Sequence, residues 1–299
     1  MLATCCILAL ASELGVKLYF FGVHDSPRDI LIPSDNPVLI YELEPNARST
    51  STYMNPERTD WRHTIRINER GFRGPAPAPG SGRPSILVLG DSIAFGYGVD
   101  DAQTFPRRLA ELFEDRVDVL NFGVPGYNLI QQVESLRTRG ADYAPDVVIL
   151  AFHPNDFEPP IFADAGRVRM ARWSHVYSLY CFVRSAYGED DAAMLDRTRE
   201  ARVRGANKAF EELLRMSEAR GFQLVVFRTD CWGGPDANAA RQFMERSRGR
   251  GLMTIDLDAD LCKQLELHSI PDDGHPTVEG HALLASRLFA HLPQWSEHE

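Results

Sequence analysis

The apolar residues divide the chain into two unlike parts. From residue 84 onward, short apolar-rich runs recur: Ile86-Leu87-Val88-Leu89, then Val117 to Phe122, Asp146 to Phe152, Gln223 to Arg228 and Leu252 to Leu257. Runs of this length with little polar alternation read as strands of a parallel sheet buried on both faces. Helical patterns fall between them, at Phe105 to Phe113, Ile130 to Thr138, Ala206 to Ala219 and Asn238 to Ser247. In the third, Ala206, Ala209, Phe210, Leu213 and Leu214 recur at three- and four-residue steps and form one apolar stripe. A last helix is predicted from Thr277 to Leu292, with Val278, His281, Leu284, Ala285, Leu288 and Leu292 on its inner face. Strands alternating with helices imply right-handed crossovers, hence a three-layer α/β/α sandwich on a five-stranded parallel sheet, flavodoxin-like in class.

Residues 24–83 have a different texture. They are rich in Pro, Asn, Ser and Arg, with short alternating stretches at Pro37 to Leu43 and Thr64 to Asn68, and they lead into a Pro/Gly run from Gly74 to Pro84. This is the signature of an extension and linker. Ahead of it, residues 1–23 predict an apolar N-terminal helix. Cys5 to Ala11 is continuously apolar, but Glu13 and Lys17 interrupt it before the ~18 to 20 residues a bilayer span needs. No Lys or Arg precedes the apolar stretch, as a signal peptide requires. Two readings stay open: an amphipathic surface helix with Glu13 and Lys17 at a favourable four-residue spacing, or the tail of an export anchor. Membrane contact is expected through this segment only, and residues 84–295 form the main domain.

Composition narrows the partners. The 299 residues carry 42 acidic against 32 basic side chains, a formal net charge of −10, so there is no basic footprint for a phosphate backbone and nucleic acid is not an expected partner. The five cysteines, Cys5, Cys6, Cys181, Cys231 and Cys262, include no Cys-x-x-Cys pair. Neither a zinc cage nor a disulfide scaffold is indicated, and idle or buried thiols are expected.

Ligands of open parallel sheets bind beyond the carboxyl ends of the strands. The first strand runs into Gly90-Asp91-Ser92-Ile93, which places Ser92 at a strand-to-helix turn as either a nucleophile or, with Asp91, a helix cap. The second runs into Asn121-Phe122-Gly123-Val124-Pro125-Gly126-Tyr127-Asn128, where glycines let the backbone approach a ligand. The third runs into His153-Pro154-Asn155-Asp156; Pro154 ends the strand and leaves Asn155, an amide donor, on the rim. Finally, Pro271-Asp272-Asp273-Gly274-His275-Pro276-Thr277 precedes the last helix. His275 lies in this loop beside carboxylates that could orient its ring, as a general base requires, whereas His281 reads as a hydrogen-bonded core residue.

These blocks, in this order, resemble the SGNH (GDSL-type) hydrolases. The resemblance rests on Gly90-Asp91-Ser92, Gly126 in its Asn-x-x-x-x-Gly context from Asn121, Asn155-Asp156, and Asp272 through His275, and it spans about residues 84 to 290. It implies the SGNH hydrolase fold, Ser92 as nucleophile and His275 as base. It also implies an oxyanion hole of the Ser92 and Gly126 backbone N–H groups and the Asn155 side chain. A three-residue offset selects Asp272 as the acid and a two-residue offset selects Asp273. His153 stands where the family usually has glycine, and a substrate-side role is weighed against a solvent-facing one. Ile67-Asn68-Glu69-Arg70-Gly71-Phe72-Arg73 also looks like the lead-in of exported, often membrane-tethered bacterial members, favouring an extracytoplasmic over a cytoplasmic location.

The expected function is therefore a serine esterase acting through an acyl-serine on a small ester or acylated carbohydrate, a carbohydrate O-deacetylase in its favoured form. An acyltransferase using the same intermediate, a lipase or thioesterase, and a catalytically idle glycan-binding module are the alternatives. The stretch with Phe157, Phe162, Trp173, His175, Tyr177 and Tyr180 either packs as an added helix or meets a sugar or acyl chain. No Gly-x-Ser-x-Gly elbow, phosphate-binding loop or dinucleotide fingerprint occurs, and no nucleotide, flavin or metal cofactor is implied.

Overall fold

The computed structural model describes residues 2–17, 30–52, 62–75, 77, 82–180, 192–231, 237–270 and 274–293. Its body is a parallel sheet of β5 (Ser85–Gly90), β6 (Asp118–Gly123), β7 (Val147–Phe152), β8 (Gln223–Arg228) and β9 (Met253–Ile255), in the spatial order β6-β5-β7-β8-β9. The predicted strands are all present, displaced by a residue or two at their ends. Alternation explains why they read as unbroken apolar runs. Ile86 and Val88 enter one core while Leu87 and Leu89 enter the other, and β7 likewise sends Val147 and Ile149 one way and Val148 and Leu150 the other. One core is closed by α4 (Leu129–Ser135), α6 (Ala192–Arg220) and α7 (Ala237–Gly249), the other by α3 (Phe105–Leu112), α8 (Ala259–Leu267) and α9 (Val278–Phe289).

The chain steps from β5 to the edge strand β6 and then returns past β5 to β7. The loops leaving β5, β6 and β7 therefore open beside one switch point, where the layout of such sheets places a ligand. α6 begins well before the predicted Ala206. Its apolar stripe starts only where it meets the sheet, while the upstream turns carry charged neighbours such as Arg204 and Glu200, 3.2 Å apart. His281 is fully buried and its Nδ1 accepts from the Phe105 N–H at 3.3 Å, tying α9 to α3.

Residues read as extension and linker are folded wherever they are described. Two antiparallel hairpins, β1 (Leu31–Pro33) with β2 (Tyr41–Leu43) and β3 (Arg48–Thr52) with β4 (Arg62–Arg66), precede the body. Ile30, Leu39, Tyr41, Ile65 and Ile67 form a third core with Phe95, Val124, Tyr127, Phe162 and Val168. The last two come from the segment after β7, which includes α5 (Ala165–Trp173). Phe72 stacks on Phe122 at 3.9 Å, so the extension reaches the main core as well. The aromatic stretch divides: Phe157 and Phe162 are buried, Tyr177 is half-buried, and Trp173 and Tyr180 are exposed.

The expectation for the cysteines is corrected. Cys231 and Cys262 form a disulfide with Cα atoms 5.2 Å apart, joining the β8 exit to α8. Their separation of 31 residues carries no motif, because the strand-to-helix crossover, not the local sequence, brings them together; a closed loop of that length contributes on the order of 3 to 4 kcal/mol. At the N-terminus, α1 (Leu2–Val16) exposes Leu8, Leu10 and Leu14 without gathering them on one amphipathic face. Glu13 does not serve Lys17; its carboxylate accepts from the Ser174 hydroxyl and from the N–H groups of His175, at 2.6 Å, and Val176, at 3.4 Å. Among the described residues no helix is long and apolar enough to cross a membrane.

Candidate active site

The turn after β5 separates the two roles that its sequence allowed. Asp91 is the N-cap of α2 (Ser92–Phe95), and its carboxylate accepts from the Ile93 N–H at 2.9 Å. Capping thus falls to Asp91, and the Ser92 hydroxyl is left to face His275, whose Nε2 lies 2.7 Å from Ser92 Oγ across 183 residues of sequence. The His275 turn is held by its own backbone: its carbonyl accepts from the Ile270 N–H at 2.7 Å, and the Ile270 carbonyl accepts from the Gly274 N–H at 3.1 Å. With the ring proton on Nδ1, Nε2 accepts the serine O–H, the arrangement in which an imidazole can take that proton. Asp272 and Asp273, the two candidates for orienting Nδ1, lie outside the described residues.

The candidate oxyanion donors come from the neighbouring loops. Gly126 has φ +75°, and a Cβ there would lie 2.7 Å from Ile161 Cγ2, so the turn and the overlying isoleucine both require glycine. Asn155 follows β7, and its Nδ2 donates to Asp91 Oδ2 at 2.8 Å, while its Oδ1 is buried without a partner. One amide hydrogen fixes the side chain to the residue beside the nucleophile and the other is left to donate elsewhere. His153 caps the turn Pro154–Phe157: its Nδ1 accepts from the Asn155 N–H at 3.3 Å. The neutral ring then carries its proton on Nε2.

Behind these residues lies a polar brace that sequence reading did not find. Gln132, fully buried on α4, donates from Nε2 to the Tyr127 carbonyl at 3.3 Å and to Asp156 Oδ1 at 2.5 Å. Asn128 donates to the Glu158 carbonyl at 3.1 Å, so the loops carrying Gly126 and Asn155 are tied together twice. Asp156 also accepts from the His153 N–H at 3.1 Å. Burial, and next the negative charge of Asp91, push its carboxyl well above the usual range and favour the neutral acid. Gln132 was legible only as a polar residue on the inward face of a helix. Tyr97 was also missed: its ring lies 4.8 Å from the His275 ring, centroid to centroid.

Residues 88–283 match the family model of the GDSL-like lipase/acylhydrolase family. The chain belongs to that family. It is accordingly a hydrolase of ester bonds, and the matched residues include the turns that follow β5, β6 and β7. Among solved structures it is similar to a protein from Desulfitobacterium hafniense DCB-2 described as lipolytic and of the G-D-S-L family, with 14% identity over 70% of this chain and 100% of that one and a TM-score of 0.50. It is also similar to Axe2, an acetylxylan esterase from Geobacillus stearothermophilus, with 14% identity over 74% and 99% of the two chains and a TM-score of 0.48. LAE5, an α/β hydrolase from the metagenome of Lake Arreo, gives 16% identity over 72% and 95% and a TM-score of 0.46. No curated protein sequence matches the chain. At 14% identity the likeness to the Desulfitobacterium hafniense protein speaks for the fold alone.

Proposed function

We propose that this chain is a serine esterase that removes short acyl groups, O-acetyl groups of a carbohydrate in particular, through an acyl-Ser92 intermediate. The observation that carries this reading is the 2.7 Å approach of His275 Nε2 to Ser92 Oγ on the rim of the sheet. Ser92 attacks the ester carbonyl as His275 takes its proton; the C–O bond to the alcohol then breaks and His275 returns the proton to the leaving oxygen. Water, deprotonated by His275, attacks the acyl-serine; the bond from the acyl carbon to Ser92 Oγ breaks, His275 returns the proton to that oxygen, and the acid is released. Negative charge on the tetrahedral oxygen falls to the N–H groups of Ser92 and Gly126 and to the second amide hydrogen of Asn155. Asp272 or Asp273 orients the His275 ring.

Ile161 lies over the Gly126 turn and narrows the rim there, which favours a small acyl group. Ser92 and His275 are half-buried on the rim, which leaves them within reach of an ester carried on a sugar. His153, with its proton on Nε2, offers a donor for a sugar hydroxyl beside Asn155. The Cys231–Cys262 disulfide supports an oxidising, extracytoplasmic setting.

The test is hydrolysis of 4-nitrophenyl acetate, butyrate and octanoate alongside acetate release from an acetylated polysaccharide, with fluorophosphonate labelling mapped by mass spectrometry. Labelling at Ser92 with acetate preferred is expected. No hydrolysis and no label at neutral pH would overturn the esterase reading in favour of a binding module. Preference for octanoate would overturn the short-chain reading, and acetyl transfer to an added glycan in place of hydrolysis would make the chain a transferase.

A further inference from the structure

The Ile67-to-Arg73 motif has no part in the acyl-transfer chemistry, yet its last residue is among the largest fully buried side chains of the described structure. Arg73 Nε donates to Asp101 Oδ1 at 2.9 Å. Its Nη1 donates to the carbonyls of Phe95, at 3.1 Å, and Gly96, at 2.5 Å, and its Nη2 to the carbonyl of Val99 at 2.6 Å. The planar fork thus satisfies three carbonyls of one loop at once, which an ammonium point charge cannot reproduce. β4 adds backbone donors to the same loop, Thr64 N–H to Asp100 Oδ1 at 2.6 Å and Arg66 N–H to Asp101 Oδ1 at 3.2 Å.

The clamped loop holds Tyr97 against both reacting residues. Its N–H donates to the Ser92 carbonyl at 2.9 Å, and its ring lies against the His275 ring at 4.8 Å with planes 46° apart. The buried His63 ring of β4 lies on Tyr97 as well, at 6.3 Å. One residue further on, Gly98 has φ +87°, and a Cβ there would lie 2.5 Å from Cδ1 of Ile270, the residue whose N–H closes the His275 turn. The loop therefore touches the nucleophile helix, the imidazole and the turn that presents it.

We propose that Tyr97 is the positioning residue of the His275 ring and that the extension, through Arg73, sets where Tyr97 stands. The inference rests on the esterase reading above. The ring of Tyr97 closes off one side of the imidazole, so that rotation away from Ser92 is blocked, and an imidazole that wanders by about an ångström loses up to ~10²-fold in rate. The group at work is the ring, and the extension is a part of the catalytic apparatus.

The test measures kcat and KM for 4-nitrophenyl acetate, the rate of fluorophosphonate labelling and the melting temperature in Tyr97→Ala, Tyr97→Phe, Arg73→Lys and the double variant Arg73→Lys/Tyr97→Ala. Tyr97→Ala is expected to lower kcat and the labelling rate by about 10- to 100-fold with KM within about twofold. Tyr97→Phe should recover most of that loss. Arg73→Lys should slow the same step, and the double variant should be no slower than Tyr97→Ala, because both changes act through one ring. The proposal is overturned if Tyr97→Ala keeps kcat within twofold of the parent, if Tyr97→Phe is as slow as Tyr97→Ala, or if the losses multiply in the double variant. If Arg73→Lys proves insoluble, the two Tyr97 variants decide between these outcomes by themselves. A parent chain that is neither active nor labelled fails the esterase reading, before any variant is compared.

Discussion

The sheet body and the N-terminal extension both bury apolar side chains, but they acquire their cores differently. Each body strand divides its residues between two cores by simple alternation, Ile86 and Val88 to one and Leu87 and Leu89 to the other, so its core is written in consecutive residues. The extension borrows its core. Ile30, Leu39, Tyr41 and Ile65 come from short stretches too small to bury one another, and they are covered by Phe162 and Val168, from the segment between β7 and β8. Polar contacts then do at the seam what dense apolar packing does in the body, chiefly through Arg73 and the Tyr41–Tyr127 pair. A self-sufficient core announces itself in local pattern, whereas a borrowed one resembles a linker until its partner is known.

The difference predicts that rim variants change rate and seam variants change stability. The largest expected effect is on the rim. Ser92→Ala should lower kcat by about 10⁴-fold or more with an unchanged melting temperature, since Asp91, not Ser92, caps α2. A variant that hydrolyses esters at the parental rate would remove Ser92 from the chemistry. Next, Asn155→Ala should cost ~10² to 10³ in kcat, and losing its hydrogen bond to Asp91 should cost stability only about 1 kcal/mol. Kinetics and thermal melts on the same preparation separate the two. A melting temperature that collapses together with rate would move Asn155 from the oxyanion side to the supporting structure.

What could be read in advance follows the same division. The strands and the parallel sheet were legible because each depends on a short apolar run, and the rim positions of Ser92, Gly126 and Asn155 because three of those runs end at a glycine or proline. His275 was legible as a loop histidine among carboxylates, although its approach to Ser92 spans 183 residues. The Cys231–Cys262 bridge, Gln132 beneath Asp156 and Arg73 against the β5 exit were not legible. Each is a pairing between distant positions, and nothing in the neighbourhood of either member names its partner. Resemblance singled out four blocks as a set because they occur together and in order; it offered nothing for Tyr97, which stands outside them.

Acid provides a third contrast, one buried histidine on each side. Burial, then the Arg73 charge, lowers the His63 pKa at the seam to about 4, and burial lowers that of His281 in the body to about 3. Both are below the ordinary imidazole value of about 6.5, so between these limits the unfolded chain binds protons that the folded chain refuses. Stability is therefore full above about pH 6.5 and falls as pH drops toward 4, with His63 contributing a loss on the order of 3 kcal/mol. Chemical denaturation at pH 7 and pH 4.5 should show a smaller drop in His63→Phe, which retains a ring against Tyr97. An equal drop in the variant and the parent would mean that His63 does not set the acid sensitivity of the seam. Because neither histidine titrates near neutrality, an acid limb of kcat/KM in that region would not come from them.

The smallest effect tests the seam most directly. In the first hairpin the Ser34 N–H donates to the Ile40 carbonyl and the Glu44 N–H to the Ile30 carbonyl. The hydrogen-bonded pairs thus fall on even-numbered positions, and Tyr41, opposite Pro33, turns its carbonyl away from β1. The Tyr127 hydroxyl donates to that carbonyl, and the Tyr41 hydroxyl donates in return to the Pro125 carbonyl at 3.0 Å. Both phenols are buried, which pushes their pKa values upward and keeps them as donors at any ordinary pH. Tyr127→Phe removes one oxygen, preserves the edge-to-face packing of the two rings at 5.1 Å, and leaves the Tyr41 carbonyl buried without its donor. The expected cost is about 1 to 2 kcal/mol, a fall of a few degrees in melting temperature at about this size. The kcat for 4-nitrophenyl acetate should stay within about twofold of the parent, since the change leaves the Gly126 turn and the Arg73 clamp in place. A loss of rate at full stability would show that the borrowed core reaches the oxyanion loop through this pair as well as the nucleophile loop through Arg73, and that the extension acts on the chemistry from both sides.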